Sequence, residues 1–97
     1  MATPEFYPIR QNLAEKKKYT FDYSYWLESG DSVSTVESTA ATTTSATVST
    51  AAGTDYANVI IGPATTAGSD TLTITMTTAN GEIDVFKITL TEVADTA

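Results

Sequence analysis

The sequence predicts an all-β domain built from two packed sheets, and three observations carry that prediction. Several segments alternate apolar and polar residues with a period of two, which on a strand separates a covered face from a solvated one. The turn-forming pairs Gly30-Asp31, Gly62-Pro63 and Asn80-Gly81 punctuate the chain between those segments. No stretch carries a convincing helical repeat, so the apolar faces must cover one another across a sheet-on-sheet core.

The elements follow in chain order. Residues 1–18 combine Pro4, Phe6, Tyr7, Pro8 and Ile9 with Arg10, Lys16, Lys17 and Lys18, four of the five bases of the whole chain; Lys87 is the fifth. Extended by its prolines, this segment is expected to be an N-terminal arm that lies on an acidic surface, with its aromatics as anchors. A frayed, solvated terminus is the bland alternative. The sandwich itself is expected over residues 19–97.

Residues 18–36, KYTFDYSYWLESGDSVSTV, form one cassette: an aromatic strand, a turn at Gly30-Asp31 and a second strand. Tyr19, Phe21, Tyr23, Tyr25 and Leu27 alternate with Thr20, Asp22, Ser24, Trp26 and Glu28, so the tyrosine row is placed on one face and Trp26 on the other. Residues 39–54 are Thr, Ala, Ser and Gly apart from Val48. Threonine suits a pleated surface, which predicts a weak edge strand plus loop. Residues 56–61 include Val59, Ile60 and Ile61 and stop at Gly62-Pro63, the pattern of a buried central strand closed by a turn.

The last third predicts a hairpin around Asn80-Gly81. A two-residue loop would set Ile74 across from Lys87 and split the apolar rows between the two faces of the sheet. A three-residue loop with Gly81 left-handed instead pairs Ile74 with Phe86 and Leu72 with Ile88. The bulged hairpin is therefore expected. The total, about six or seven short strands, predicts a small immunoglobulin-like β-sandwich, without the Cys-Trp-Cys hallmark of antibody domains. A jelly roll or partial barrel stays open, because periodicity does not set strand order.

Composition narrows function. The chain has 97 residues, one domain near the small end of what buries its own core, so partners are expected to help stabilise it. Twelve acids against five bases give a net charge of −7, which disfavours nucleic acid as a partner. The start, MATPEFYPIRQ, carries Glu5 early and no apolar run of signal-peptide length, and no segment approaches membrane-spanning length, so a protein made soluble in the cytoplasm is expected, with no membrane partner.

Without His or Cys, the commonest general base, the thiolate nucleophile and the usual zinc ligands are missing. A serine activated by Lys16, Lys17 or Lys18 has no supporting spacing. Asp22 with Asp31, and Glu82 with Asp84, are formal carboxylate pairs, better explained as turn and surface residues. Convergence of Asp31, Asp55, Asp70 and Glu82 on calcium is the formal metal reading, yet no D-x-D-x-D-G loop occurs. The chain is expected to be a non-enzyme that holds no cofactor and no metal.

The strings FDYSYWLESGDSVSTVES and DTLTITMTTANGEIDVFKITLTEV resemble a family of short proteins encoded among the structural genes of tailed bacteriophages. The matching positions are Asp22, Trp26, Leu27, Gly30, Asp31, Val33, Thr75, Thr77, Gly81 and Val93; the middle third matches in composition only. The resemblance implies an immunoglobulin-like virion component, a fiber-tail adaptor or a head-decorating protein, present in many copies in a symmetric assembly.

On that basis the arm is expected to dock the domain on other virion proteins, with Phe6, Tyr7, Ile9, Arg10, Lys16, Lys17, Lys18 and Trp26 as partner-binding residues. Trp26 has a second reading, as a side chain packed under a loop of its own subunit. Capsid decoration is the alternative function. A carbohydrate-binding adhesive module, using exposed tyrosines as a stacking platform, is the alternative from another class.

Overall fold

The computed structural model describes residues 6–94, with Phe6 described by its backbone alone. Within them lie seven strands and no helix: β1 (Phe6–Asn12), β2 (Lys17–Asp22), β3 (Val33–Ser38), β4 (Val48–Ala52), β5 (Tyr56–Ile61), β6 (Gly68–Thr78) and β7 (Ile83–Val93). Four of them form a sheet in the order β1-β7-β6-β3, and three form a second sheet in the order β2-β5-β4. The expected two-sheet, all-β architecture is present. Strands 2, 5 and 4 oppose 3, 6 and 7, the partition that immunoglobulin constant domains use, but β1 departs from that scheme by pairing in parallel with β7.

The β6–β7 hairpin has the expected register. Ile74 stands opposite Phe86 and Leu72 opposite Ile88, the Thr78 amide donates to the Glu82 carbonyl, and Gly81 has a φ of 93°. Glycine meets that left-handed requirement without the Cβ clash other residues suffer. The register brings Leu72, Ile74, Met76, Phe86, Ile88 and Leu90 to one face, where all six are buried. Ala57, Val59 and Ile61 of β5 cover them from the other sheet and are fully buried in turn. Each large aliphatic side chain so removed from water contributes about 1.5–3 kcal/mol. As expected, β5 is the central strand of its sheet and β4 the thin edge that follows the threonine-rich loop.

Two expectations need correction. The aromatic strand ends at Asp22, because its carboxylate accepts the Ser24 amide at 2.8 Å and the Trp26 and Leu27 amides then fold back onto the Tyr23 carbonyl. Side-chain capture of a nearby amide turns the chain before the alternation is complete. Tyr25 is thereby left 92 % exposed while Tyr23 is buried.

The second correction concerns the N-terminus. Residues 6–18, expected to stand apart from the body as an arm, supply β1, the turn after it and the first two residues of β2, so a boundary at residue 18 falls inside a strand. The cause is a hidden alternation: Tyr7, Ile9 and Gln11 face inward in register with Ile88, Leu90 and Glu92. Residues 1–5 of the expected arm lie outside the described residues.

Two buried acids respond to pH in opposite senses. Asp70 accepts the Thr43 and Thr44 amides and the Thr44 hydroxyl at 2.9, 2.7 and 2.8 Å, which pins the threonine-rich loop to the start of β6. Burial alone would push its pKa up, but these hydrogen bonds outweigh it and hold the carboxyl below the usual range. Glu92 is the opposite case: only 1 % exposed, with neither carboxylate oxygen hydrogen-bonded, it has its pKa raised by burial.

Replacing Asp70 by Asn should therefore cost about 2–3 kcal/mol at neutral pH and speed amide exchange at Thr43 and Thr44, because an amide cannot accept all three bonds through oxygen. Thermal unfolding and hydrogen exchange read both effects. A carboxyl whose folded pKa is raised stabilises below its unfolded value, near 4.5, and loses that stability as pH rises through the folded value. Glu92→Gln should accordingly melt higher than the wild-type chain at pH 7, with the gap closing as pH falls toward 4.5.

Candidate partner-binding surface

The sandwich has two long seams, and they are finished differently. Along one, edge strands β3 and β4 are tied across the sheets by the Thr50 hydroxyl, which donates to the Val36 carbonyl at 2.6 Å. Along the other, edge strands β1 and β2 leave a groove of about 400 Å³ lined by Tyr7, Pro8, Ile9, Lys18, Tyr19, Thr20 and Phe21. Sequence alternation explains the lining. Tyr19 and Phe21 turn inward beside Val59 and Ala57, while Lys18 and Thr20 turn outward beside Ile60 and Asn58.

The apolar wall is rigidly packed. The Tyr7 ring stands edge-on to Phe21 and Phe86 at centroid distances of 5.0 and 5.2 Å, and Phe21 lies 4.7 Å from Phe86. Such edge-on contacts add about 0.5–1.5 kcal/mol each beyond burial.

One end of the groove is closed by a polar strut. Gln11, 2 % exposed, accepts the Tyr19 hydroxyl at 2.8 Å and donates to the Ile61 and Glu15 carbonyls at 3.1 and 3.2 Å. Partial burial raises the Tyr19 pKa. Gly62 sits against this strut with a φ of 109°, and a Cβ there would run into the Glu15 carbonyl and the Gln11 amide.

The expected partner-binding residues separate into groups. Tyr7, Ile9 and Lys18 line the groove. Arg10, Lys16 and Lys17 are exposed along the same edge and its turn; Lys17 pairs with Glu15 at 3.3 Å, an exposed contact worth about 0–1 kcal/mol. The Phe6 backbone belongs to β1, and its side chain lies outside the described residues.

Trp26 is not with them. It sits in the turn after β2, half-buried and edge-on to Tyr23 at 5.8 Å. The tyrosine row makes no stacking platform, since Tyr23 is buried and Tyr19 half-buried, leaving Tyr25 alone exposed in that row. Pro8, Tyr19, Thr20 and Phe21 were not anticipated as lining, though the alternation within β2 carried the signal for the last three.

Three of the four carboxylates considered for catalysis have local tasks. Asp22 holds the Ser24 amide, Asp31 accepts the Ser32 and Asn80 amides at 2.8 and 3.1 Å, and Asp84 accepts the Tyr23 hydroxyl at 2.8 Å. Burial, then Asp84, pushes the Tyr23 hydroxyl pKa up. Asp31 and Asp70 do not converge: one meets the hairpin turn beyond β6 and the other lies near the start of that eleven-residue strand. Among the described residues, no three His, Cys, Asp or Glu side chains are grouped to hold a metal ion.

No curated protein matched the chain. Residues 11–91, a stretch running from the end of β1 almost to the end of β7, match the family model described as Podophage GP4 fiber-tail adaptor protein gp77. The resemblance to tailed-phage virion proteins is thereby shown, and the chain belongs to that fiber-tail adaptor family.

Proposed function

We propose that the chain is a non-enzymatic adaptor of a phage virion that joins a fiber to the tail, with residues 6–18 and the groove beside them turned toward a partner. The family match carries this reading. Three structural features support it: a small rigid sandwich, one seam tied shut, and one seam left as an apolar groove edged with bases. The arm expected from sequence enters this proposal in altered form, as a strand edge and a turn rather than a detached leader.

Assembly also suits the energetics. A domain of this size is marginally stable alone, and a partner that binds only the folded state stabilises it by mass action. In a symmetric particle, repeated weak contacts become durable through multivalency.

Particles produced without the chain should carry tails that lack fibers, and added purified chain should restore them, as counted by electron microscopy. Particles with full fiber occupancy in its absence would contradict the adaptor role. Recovery of the chain spread over capsids instead of at tails would favour the decoration reading.

A further inference from the structure

We infer that the β1–β2 groove receives an extended acidic segment of another virion protein, which adds as a further strand along the free edge of β2. This deepens the adaptor reading and rests on it. The two seams differ: the Thr50 to Val36 bond ties the β3–β4 side, whereas on the other side the Tyr7–Phe21 contact and the Tyr19 to Gln11 bond leave a groove between the two edges. An edge strand has N–H and C=O groups pointing away from its sheet, ready for another strand.

Of the two edges, β2 is the better acceptor. Pro8 removes a donor from the middle of β1, while Lys17–Asp22 contains no proline. Three residues of β1 and four of β2 line the groove, a run of about 10–13 Å that fits about four extended residues.

Chemistry sets the identity of the occupant. The chain carries a net charge of −7, yet on this edge and its turn Arg10, Lys16, Lys17 and Lys18 outnumber Glu15 and Asp22. Lys87, the one remaining base, is in register with Phe6 of β1. An acidic segment is therefore attracted here and repelled elsewhere on the body.

Alternation refines the pattern. A strand continuing the β2 sheet would direct every second side chain inward toward Tyr7 and Phe21 and the others outward beside Lys18. The segment should thus alternate apolar and acidic residues.

The test uses the full chain and particles assembled without it, with binding measured by co-sedimentation over a range of salt concentrations. Lys18→Glu should weaken binding by about tenfold or more, since it replaces attraction with repulsion at an exposed site, and raising salt should weaken wild-type binding. Ser49→Glu, exposed on β4 at the closed seam, should bind as wild type. Melting temperatures of both variants should match the parent, which separates lost docking from lost folding. Wild-type uptake with undiminished uptake of Lys18→Glu overturns the groove and leaves the adaptor reading intact. Particles that take up no wild-type chain overturn the adaptor reading itself. Self-association of the chain in particle-free solution, abolished by Lys18→Glu, overturns the proposal by seating a second copy in the groove.

Discussion

The register between β6 and β7 is the constraint on which the rest of the molecule depends. Side chains alternate along a strand, so a slip of one residue would turn Leu72, Ile74 and Met76 to the side away from Phe86, Ile88 and Leu90. Gly81 prevents the slip by closing a bulged turn that other residues enter only with strain. The hairpin then serves as a template. β3 lays its edge against β6, β1 lays its edge against β7, and the second sheet closes over the apolar rows.

The open seam is a consequence of that template. β1 borrows its order from β7, which brings Tyr7, Ile9 and Gln11 inward in line with Ile88, Leu90 and Glu92. Once β1 is an edge of one sheet and β2 an edge of the other, the short turn between them keeps both on the same side of the sandwich. Gln11 and Tyr19 tie the two sheets at one end, so the groove has fixed walls. Preformed walls lower the ordering cost of binding, which suits the proposed docking role.

What could be read from the sequence was whatever local chemistry decided. The hairpin register followed from two apolar rows and one Asn-Gly pair, and β5 from a β-branched run ending at Gly62-Pro63. Other features escaped where a single side chain overruled a pattern. Asp22 stopped the aromatic strand by capturing the Ser24 amide, and no periodicity announces that. In β1, Pro8 and Arg10 resembled parts of a docking arm and masked the inward set at Tyr7, Ile9 and Gln11. Glu92 was in phase with Phe86, Ile88 and Leu90 all along, but an acid at that position argues against burial until the fold encloses it. The groove itself belongs to tertiary structure: its two walls come from different sheets, and strand order is not encoded in alternation.

If the partner enters by the β1–β2 seam as an added strand, the assembled tail must show it there. A cryo-electron microscopy map of the assembled tail that shows side chains tests it most directly. Continuous extended density hydrogen-bonded along β2, with a carboxylate beside Lys18, is expected. An empty groove, with the partner seated instead on the threonine-lined outer face of β6 and β7, would contradict it.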